Sequence, residues 1–528
     1  MIPQGEDLNH SLSSKPANSR ARQGITGRTL SGLVWTFLGT GLQSFLQLVV
    51  MLVLVRVLGA ADFGLAAAAT TVTGLSTIFS QLGIGPAVVQ RANLERRHLR
   101  TAFTVSLILG ALLSGLIWLA APAVASLYRM ELLADVLRVS ALAFLIQGFA
   151  VVPQSLLQRD LEFRRLASIN ATSYCGGYAV VGILLALSGL GVWALVAAQL
   201  TQALLTTTLL VIARPHPRWP QLERGALRDL LYFGGGHTFG RIANYFASTG
   251  DNMVVGRWLG ADALGFYTRS FQMMMVPVML FGQVLDTVLF PVMASMQHQP
   301  AQLATAYRRG VALIALLTLP VSAAVVILAP ELIQLLLGPE WASTIVPFQV
   351  LATGLLFRTS YKMGDSLARA TGAVYRRAWR QAIYAVLVVG GAWVGQHWGI
   401  PGVAFGVAMA ILVNFILMAQ LSASILSMSW LTFVGIHVPA LLLTTAISVE
   451  LWVLSTALRD WHISPAVLLI VSLACVIATV LTTCRFLPHI FIGREGMWIV
   501  QMAASRTIGK LKPLRNLSGG TPITSKTP

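Results

Sequence analysis

RVLGAADFG (Arg56–Gly64) recurs in the second part of the chain as RWLGADALG (Arg257–Gly265). Three further pairs follow in the same order. APAVASLY (Ala121–Tyr128) returns as APELIQLL (Ala329–Leu336), SLLQRDLEFRR (Ser155–Arg165) as SLARATGAVYRR (Ser366–Arg377), and GLGV (Gly189–Val192) as GIPGV (Gly399–Val403). Each match alone is weak, but their order makes them the trace of an internal repeat. Each also falls at the same point between apolar runs. The runs are long enough to cross a bilayer, which takes about 20 apolar residues. They divide the chain into about fourteen spans, six in each repeat and two beyond. The predicted fold class is therefore an all-α polytopic membrane protein with two lobes of 6+6 spans and two extra C-terminal helices. An even number of spans per repeat gives both halves one orientation. The pseudo-twofold then runs along the membrane normal, with a site between the halves near midplane.

Composition agrees. Of 528 residues, 56% are hydrophobic and only 11% charged, yet the formal net charge is +18. Soluble domains carry about 25% charged residues. A nucleic-acid binder needs its basic groups on a water-soluble body, and a disordered basic chain would not be this apolar. In a polytopic protein the basic residues gather in loops on one side. With the N-terminus inside and the spans alternating, most of the 37 Lys/Arg residues fall on the N-terminal side, so the positive-inside rule predicts cytoplasmic termini. The predicted segments are a disordered tail (1–27), an N-lobe (28–213), a Pro-rich basic linker (214–227), a C-lobe (228–428), two further spans (429–486) and a basic tail (487–528). No soluble segment between spans is long enough for a catalytic or nucleotide-binding domain. The cysteines (Cys175, Cys475, Cys484) sit in or at the ends of apolar runs and read as small core residues.

Eight charged residues fall inside predicted spans: Arg241, Asp251, Arg269, Asp286, Arg358, Lys362, Asp365 and Glu450. Each costs at least about 2.5 kcal/mol at mid-helix unless it faces a polar interior. All but Glu450 lie in the second repeat. His237, Arg241, Asn244, Ser248 and Asp251 recur at i, i+4, i+7, i+11 and i+14, which is one helical face. The residues aligned with this face in the first repeat are Thr36, Thr40, Gln43 and Gln47, also polar and also on one face. The two stripes read as the lining of a water-filled cavity, or as interhelical hydrogen-bonding contacts. Arg358, Lys362 and Asp365, with Tyr361, share a second face, where Asp365 can pair with Lys362 or Arg369. Arginine binds phosphate through a bidentate fork and lysine adds a point charge. Arg241, Arg269, Arg358 and Lys362 therefore suit a pyrophosphate. Asp251, Asp286 and Asp365 serve as charge balance or as carriers of a coupling ion. Glu450 reads as structural.

The segment DNMVVGRWLGADALGFYTRSFQMMMVPVML (Asp251–Leu280) resembles the polysaccharide (O-antigen/exopolysaccharide repeat-unit) flippase family of the multidrug/oligosaccharidyl-lipid/polysaccharide (MOP) exporter superfamily. VRVLGAADFGLAA (Val55–Ala67) and LAPELIQLLLGPEW (Leu328–Trp341) carry the same resemblance, which extends over about residues 24–430. It implies a MATE-like fold of two six-helix lobes. It also implies translocation of undecaprenyl-pyrophosphate-linked oligosaccharide from the cytoplasmic to the periplasmic leaflet by alternating access, in the bacterial inner membrane. No cofactor, catalytic residue, metal or nucleic acid is implied. The implied partners are the lipid-linked substrate, membrane lipids, and the polymerase and glycosyltransferases of the same pathway. In related peptidoglycan-precursor flippases, cavity arginines meet the pyrophosphate and two extra C-terminal helices hold the lipid tail. The first lobe here lacks such arginines, which puts the binding load on the second. A MATE-type drug/cation antiporter is the alternative reading. A membrane glycosyltransferase or polymerase would need a carboxylate pair or large outer loop that is not seen, and a scaffold without transport is the remaining class.

Overall fold

The computed structural model describes residues 46–81, 84–91, 93–215, 221–284, 290–493 and 495–497, with Gly41. Among these residues every regular element is helical. The chain divides into two compact units. Unit 1 takes residues up to Leu54, Phe79–Trp118 and Val139–Gly236, and unit 2 takes Val55–Ile78, Leu119–Arg138 and His237 onward. Two segments of the predicted N-lobe, 55–78 and 119–138, thus pack with the second unit. Seven helical stretches among the described residues are long and apolar enough to cross a membrane, or eight if one bent pair is a broken span. The chain is a multi-pass membrane protein.

The first helices are α1 (Leu46–Val57), α2 (Ala60–Gln81), α3 (Ile84–Gln90) and α4 (Arg96–Tyr128). Next come α5 (Leu133–Gly148) and α6 (Val151–Arg159), which meet at a bend of 47°. Then α7 (Phe163–Tyr174) runs through a π-helical stretch (Cys175–Gly182) into α8 (Ile183–Leu187), and α9 (Val192–Ala213) follows. Unit 1 packs about Ile84, Val88, Phe103 and Val152, joining α3, α4 and α6, and about Leu157, Ile169 and Leu210, joining α6, α7 and α9. At the end of the unit where the basic loops gather, Arg159 donates to the carbonyls of Val88 and Val89, and Arg97 bridges Glu95 and Glu223.

The long helix α10 (Arg224–Trp258) leads into unit 2, with α11 (Gly260–Val284), α12 (Phe290–Ser295), α13 (Pro300–Leu336), α14 (Ile345–Thr353) and α15 (Leu355–Ala370). Helices α16 (Val374–Gly395) and α17 (Gly399–Leu426) form an antiparallel hairpin, their backbones closest at Gly391–Gly406 and Gly395–Gly402. The last elements are α18 (Trp430–Asp460), α19 (Pro465–Phe486) and α20 (Pro488–Phe491). Helices α10 and α11, interrupted by the polar and charged residues noted above, are not among the seven apolar stretches. Serine and threonine hydroxyls within the apolar helices mostly bond back to their own helix, as Thr73 does to Ala69 and Thr318 to Ile314. Hydrocarbon offers them no water, so the preceding turn is the nearest acceptor.

The repeated motifs meet inside unit 2. Helix α2 begins just after Leu58-Gly59 and α11 at the glycine of Leu259-Gly260, with Asp62 and Asp262 in their first turns, where a carboxylate suits the helix dipole. The two first turns cross so tightly that a Cβ on Gly64 would overlap the backbone of Ala261, and one on Gly265 the backbone of Ala60. Ala60 aligns with Ala261 and Gly64 with Gly265, so the contact is reciprocal, as a pseudo-twofold demands. The pair Ala121–Tyr128 and Ala329–Leu336 joins the same region. Arg56 donates to the Leu335 carbonyl, and Gly256 lies against the Tyr128 ring. Trp341 caps the crossing. Its Nε1 donates to the Val55 carbonyl at 3.1 Å, and the rings of Phe63 and Phe266 meet its own edge-on.

Helices α18 and α19 dock on α13 through Leu328, Leu443, Ile447, Leu451 and Leu468. Arg459 forks onto Glu331, with Nε–Oε1 2.7 Å and Nη2–Oε2 3.0 Å, and Glu331 is only 6% exposed. Glu450 accepts from Thr479 at 2.7 Å, which ties α18 to α19 and fits its structural reading. Replacing Arg459 with alanine leaves Glu331 buried and without its fork. The expected cost is about 1–3 kcal/mol, seen as a lower melting temperature in detergent. Adding Glu331→Gln should recover much of it. A single variant that melts like the wild type would deny the pair a structural role.

Candidate functional site

Asp251 and Arg358, two of the predicted membrane-embedded charges, lie where α10, α11, α15 and α16 adjoin. On α10, Asn244 is exposed, Ser248 is half-buried with its hydroxyl on the Asn244 carbonyl, and Asp251 is 2% exposed. The Tyr267 hydroxyl of α11, fully buried, donates to Asp251 Oδ2 at 2.6 Å. The Asn252 amide donates to Oδ1 at 3.0 Å. Both carboxylate oxygens are thus engaged.

Helix α15 restarts after the break at Gly354, which sets a new face toward this cluster. Leu355, Thr359, Ser360 and Met363 are buried on one side, while Arg358, Tyr361, Lys362 and Asp365 are half-buried on the other, at i, i+3, i+4 and i+7. The Arg358 guanidinium donates to the Tyr384 hydroxyl of α16. It also lies 5.9 Å from the ring centroids of Phe271, Tyr361 and Tyr384, at the outer edge of cation–π range. Arginine has five N–H donors. Tyr384 takes one, and among the described residues the others make no hydrogen bond. Asp251 and Arg358 interact electrostatically within this cluster. Asp365 pairs with Arg369 (3.0 Å) and Arg377.

The predicted cations are not one group. Arg269 stacks on Phe63, its guanidinium 3.9 Å from the ring centroid, and donates to Gln272. It belongs with the aromatic residues around the crossed motifs. Arg358 and Lys362 stand one turn apart on α15. His237 and Arg241 lie on α10, but their side chains are outside the described residues, as are Thr36, Thr40, Gln43 and Asp286. Gln47 is an exposed residue of α1, in unit 1.

Around α15 the cations Arg358, Lys362, Arg369 and Arg377 outnumber the carboxylates Asp251 and Asp365. An aromatic-walled cluster of this sign, with an unspent guanidinium fork, suits a multivalent oxyanion rather than a cation. Tyr267 and Tyr384 hold the two ends of it and were not singled out from sequence, because an aromatic residue in an apolar span reads as packing. Arg377 was also missed as a partner of Asp365, since the contact joins two helices.

A family profile described as "Polysaccharide biosynthesis protein" matches residues 53–346. The chain is similar to the teichuronic acid biosynthesis protein TuaB of Bacillus subtilis, 24% identical over 464 residues, covering 85% of this chain and 94% of the relative. It is also similar to the lipopolysaccharide biosynthesis protein WzxC of Escherichia coli, 24% identical over 396 residues, covering 74% and 80%. Among solved structures it resembles "Lipid II flippase MurJ, inward closed conformation", with a TM-score of 0.68 and 12% identity, over 86% of this chain and 99% of that one. The family match spans more than half of the chain and includes both copies of the crossed motif. The chain therefore belongs to the polysaccharide biosynthesis protein family.

Proposed function

We propose that the protein is a flippase. It carries undecaprenyl-pyrophosphate-linked oligosaccharide repeat units from the cytoplasmic to the periplasmic leaflet of a bacterial inner membrane. The fold is read as fourteen spans, in two six-span lobes plus two, with both termini cytoplasmic. Its partners are the polymerase and glycosyltransferases of one surface-polysaccharide pathway. The observation that carries this reading is the Arg358 cluster, a net-positive, aromatic-walled group within the membrane whose guanidinium keeps donors for a pyrophosphate. A sugar–pyrophosphate head cannot cross hydrocarbon, whereas a polyprenyl tail can stay in it. A polar path through the protein lowers the barrier for the head alone, and alternating access moves it without opening a leak.

The names of the relatives, both biosynthetic for cell-surface polymers, and of the flippase with the same fold support this reading. A drug/cation antiporter needs a membrane carboxylate ready to trade a cation for a proton. Asp251 is held by Tyr267 and Asn252, and Asp365 by two arginines.

The test is reconstitution. Liposomes holding the purified protein should expose the inner-leaflet lipid-linked repeat unit to an external sugar-cleaving enzyme over time, while protein-free liposomes keep about half protected. In cells, deletion of the gene should stop surface polymer and leave sugar-charged undecaprenyl pyrophosphate on the inner leaflet. Equal protection in both liposome sets, with normal polymer in the deletion strain, rejects the function.

A further inference from the structure

Unit 1 has an open cavity of about 280 Å³, lined by α4, α5, α6, α7 and α9. That is close to the lower end of small-molecule sites, about 300–1,000 Å³. Its lining includes five carboxamides, Gln147, Gln154, Asn170, Gln199 and Gln202, and the hydroxyl of Ser106. It includes no Lys, Arg, Asp or Glu, and one aromatic ring, that of Phe144.

Local structure aims these groups. Gln199, Gln202 and Thr206 recur at i, i+3 and i+7, one face of α9. Gln147 and Gln154 straddle the 47° break between α5 and α6, which turns the two helices about the cavity. Gly110 and Gly148 let α4 and α5 close on one another, since a Cβ on Gly110 would stand 2.6 Å from the Phe144 carbonyl oxygen. The Thr207 hydroxyl donates to the Ile146 carbonyl at 3.2 Å and pins α9 to α5 beside the cavity.

Gln147 and Gln154 are exposed, and Asn170, Gln199 and Gln202 half-buried. Among the described residues none of them makes a side-chain hydrogen bond within the protein, unlike the serines and threonines that bond back to their own helices. Ser106 is 2% exposed and its Oγ also has no partner. Gln199 and Gln202 lie within α9, about 10 and 15 Å from its nearer end. At that depth an unpaired amide is costly unless something polar meets it. The occupant must bring many donors and acceptors and no net charge. A phosphate would find no cation here, a drug cation no carboxylate, and a polyprenyl tail too many amides. Each carboxamide offers both donor and acceptor, as each sugar hydroxyl does.

We propose that this cavity is a binding site for a neutral sugar residue of the transported repeat unit, separate from the charged cluster of unit 2. The inference rests on the proposed function. It divides recognition by chemistry: hydroxyls are read by the amides of unit 1, and the pyrophosphate by the arginine of unit 2. It also gives the uncharged first repeat a purpose.

The test measures binding of two lipids to the purified protein. One is undecaprenyl pyrophosphate without sugar. The other is the lipid-linked repeat unit purified from cells that lack the protein, with the released oligosaccharide run alongside. The double variant Gln199→Leu/Gln202→Leu should bind the repeat-unit lipid at least about tenfold more weakly. Its affinity for bare undecaprenyl pyrophosphate should be unchanged. Gln147→Leu/Gln154→Leu, on different helices, should behave alike. In the wild type, a diazirine on the sugar should label a peptide within 192–213, and excess released oligosaccharide should compete. Equal affinities of wild type and both variants for the repeat-unit lipid, or equal losses for both lipids, would overturn the sugar site and leave the flippase reading standing. A wild type that binds neither lipid ends both.

Discussion

Replacing Arg358 with alanine should abolish transport and lower stability together, and the two effects can be separated. Asp251 is 2% exposed and loses the cation of its cluster, while Tyr384 loses its donor. Breaking a buried charge arrangement by removing one partner is strongly destabilising. Here Tyr267 and the Asn252 amide still serve the carboxylate, so the expected loss is about 1–3 kcal/mol. The second effect falls on the substrate. Charge-assisted hydrogen bonds contribute about 1.5–3 kcal/mol each, so loss of the fork should weaken binding of undecaprenyl pyrophosphate by roughly 10–100-fold. Adding Asp251→Asn removes the stranded charge. The double variant should regain much of the melting temperature and none of the binding. Arg358→Lys keeps the charge without the planar fork and should lie between. A double variant that binds undecaprenyl pyrophosphate as the wild type does would make Arg358 a structural residue and remove the observation on which the proposed function stands.

The helical, multi-pass character was legible because membranes impose a simple rule. Backbone groups must be satisfied within the segment, so apolar length alone reports helices, and loop basicity reports the predicted sides. The repeat was legible for a different reason. Two helix starts that cross backbone to backbone admit no side chain, so glycine stands at Gly64 and Gly265 and carries its flanking motif with it. The site was legible only in part. Charge in an apolar run marks Asp251, Arg358, Lys362 and Asp365, but helical spacing does not say which helix answers them. For Asp365 spacing offers Lys362 and Arg369 on its own helix, and Arg369 does pair with it, but spacing cannot show Arg377, which comes from the next helix. Glu331 and Arg459 fall in predicted outer segments, and nothing local links residues so far apart in sequence, yet they fork. The amides of unit 1 went unnoticed because a glutamine in a hydrophobic run carries no charge to flag it. Their significance lies in hydrogen bonds they do not make, and only coordinates show that.

Gly64→Ala and Gly265→Ala should each be among the most damaging single-methyl changes in the protein. In both cases the new Cβ would overlap the partner's carbonyl group, and a backbone cannot rotate away as a side chain can. Overpacking costs about 1–3 kcal/mol where side chains can shift, and main chain against main chain belongs at the upper end. Gly59→Ala is the control. Only the Asp62 carboxylate, at 3.8 Å, lies near a Cβ there, so the change should stay within about 0.5 kcal/mol. The reciprocal geometry makes a sharper claim. Both substitutions push the first turns of α2 and α11 apart at one crossing, so whichever is made first has already paid most of that separation. The double variant should therefore fall well short of the sum of the singles, since residues sharing one contact couple. Melting temperatures of the four proteins in one detergent give the cycle. Strict additivity would mean that the two glycines act at independent places, and the reciprocal crossing of the repeated motifs would have to be abandoned.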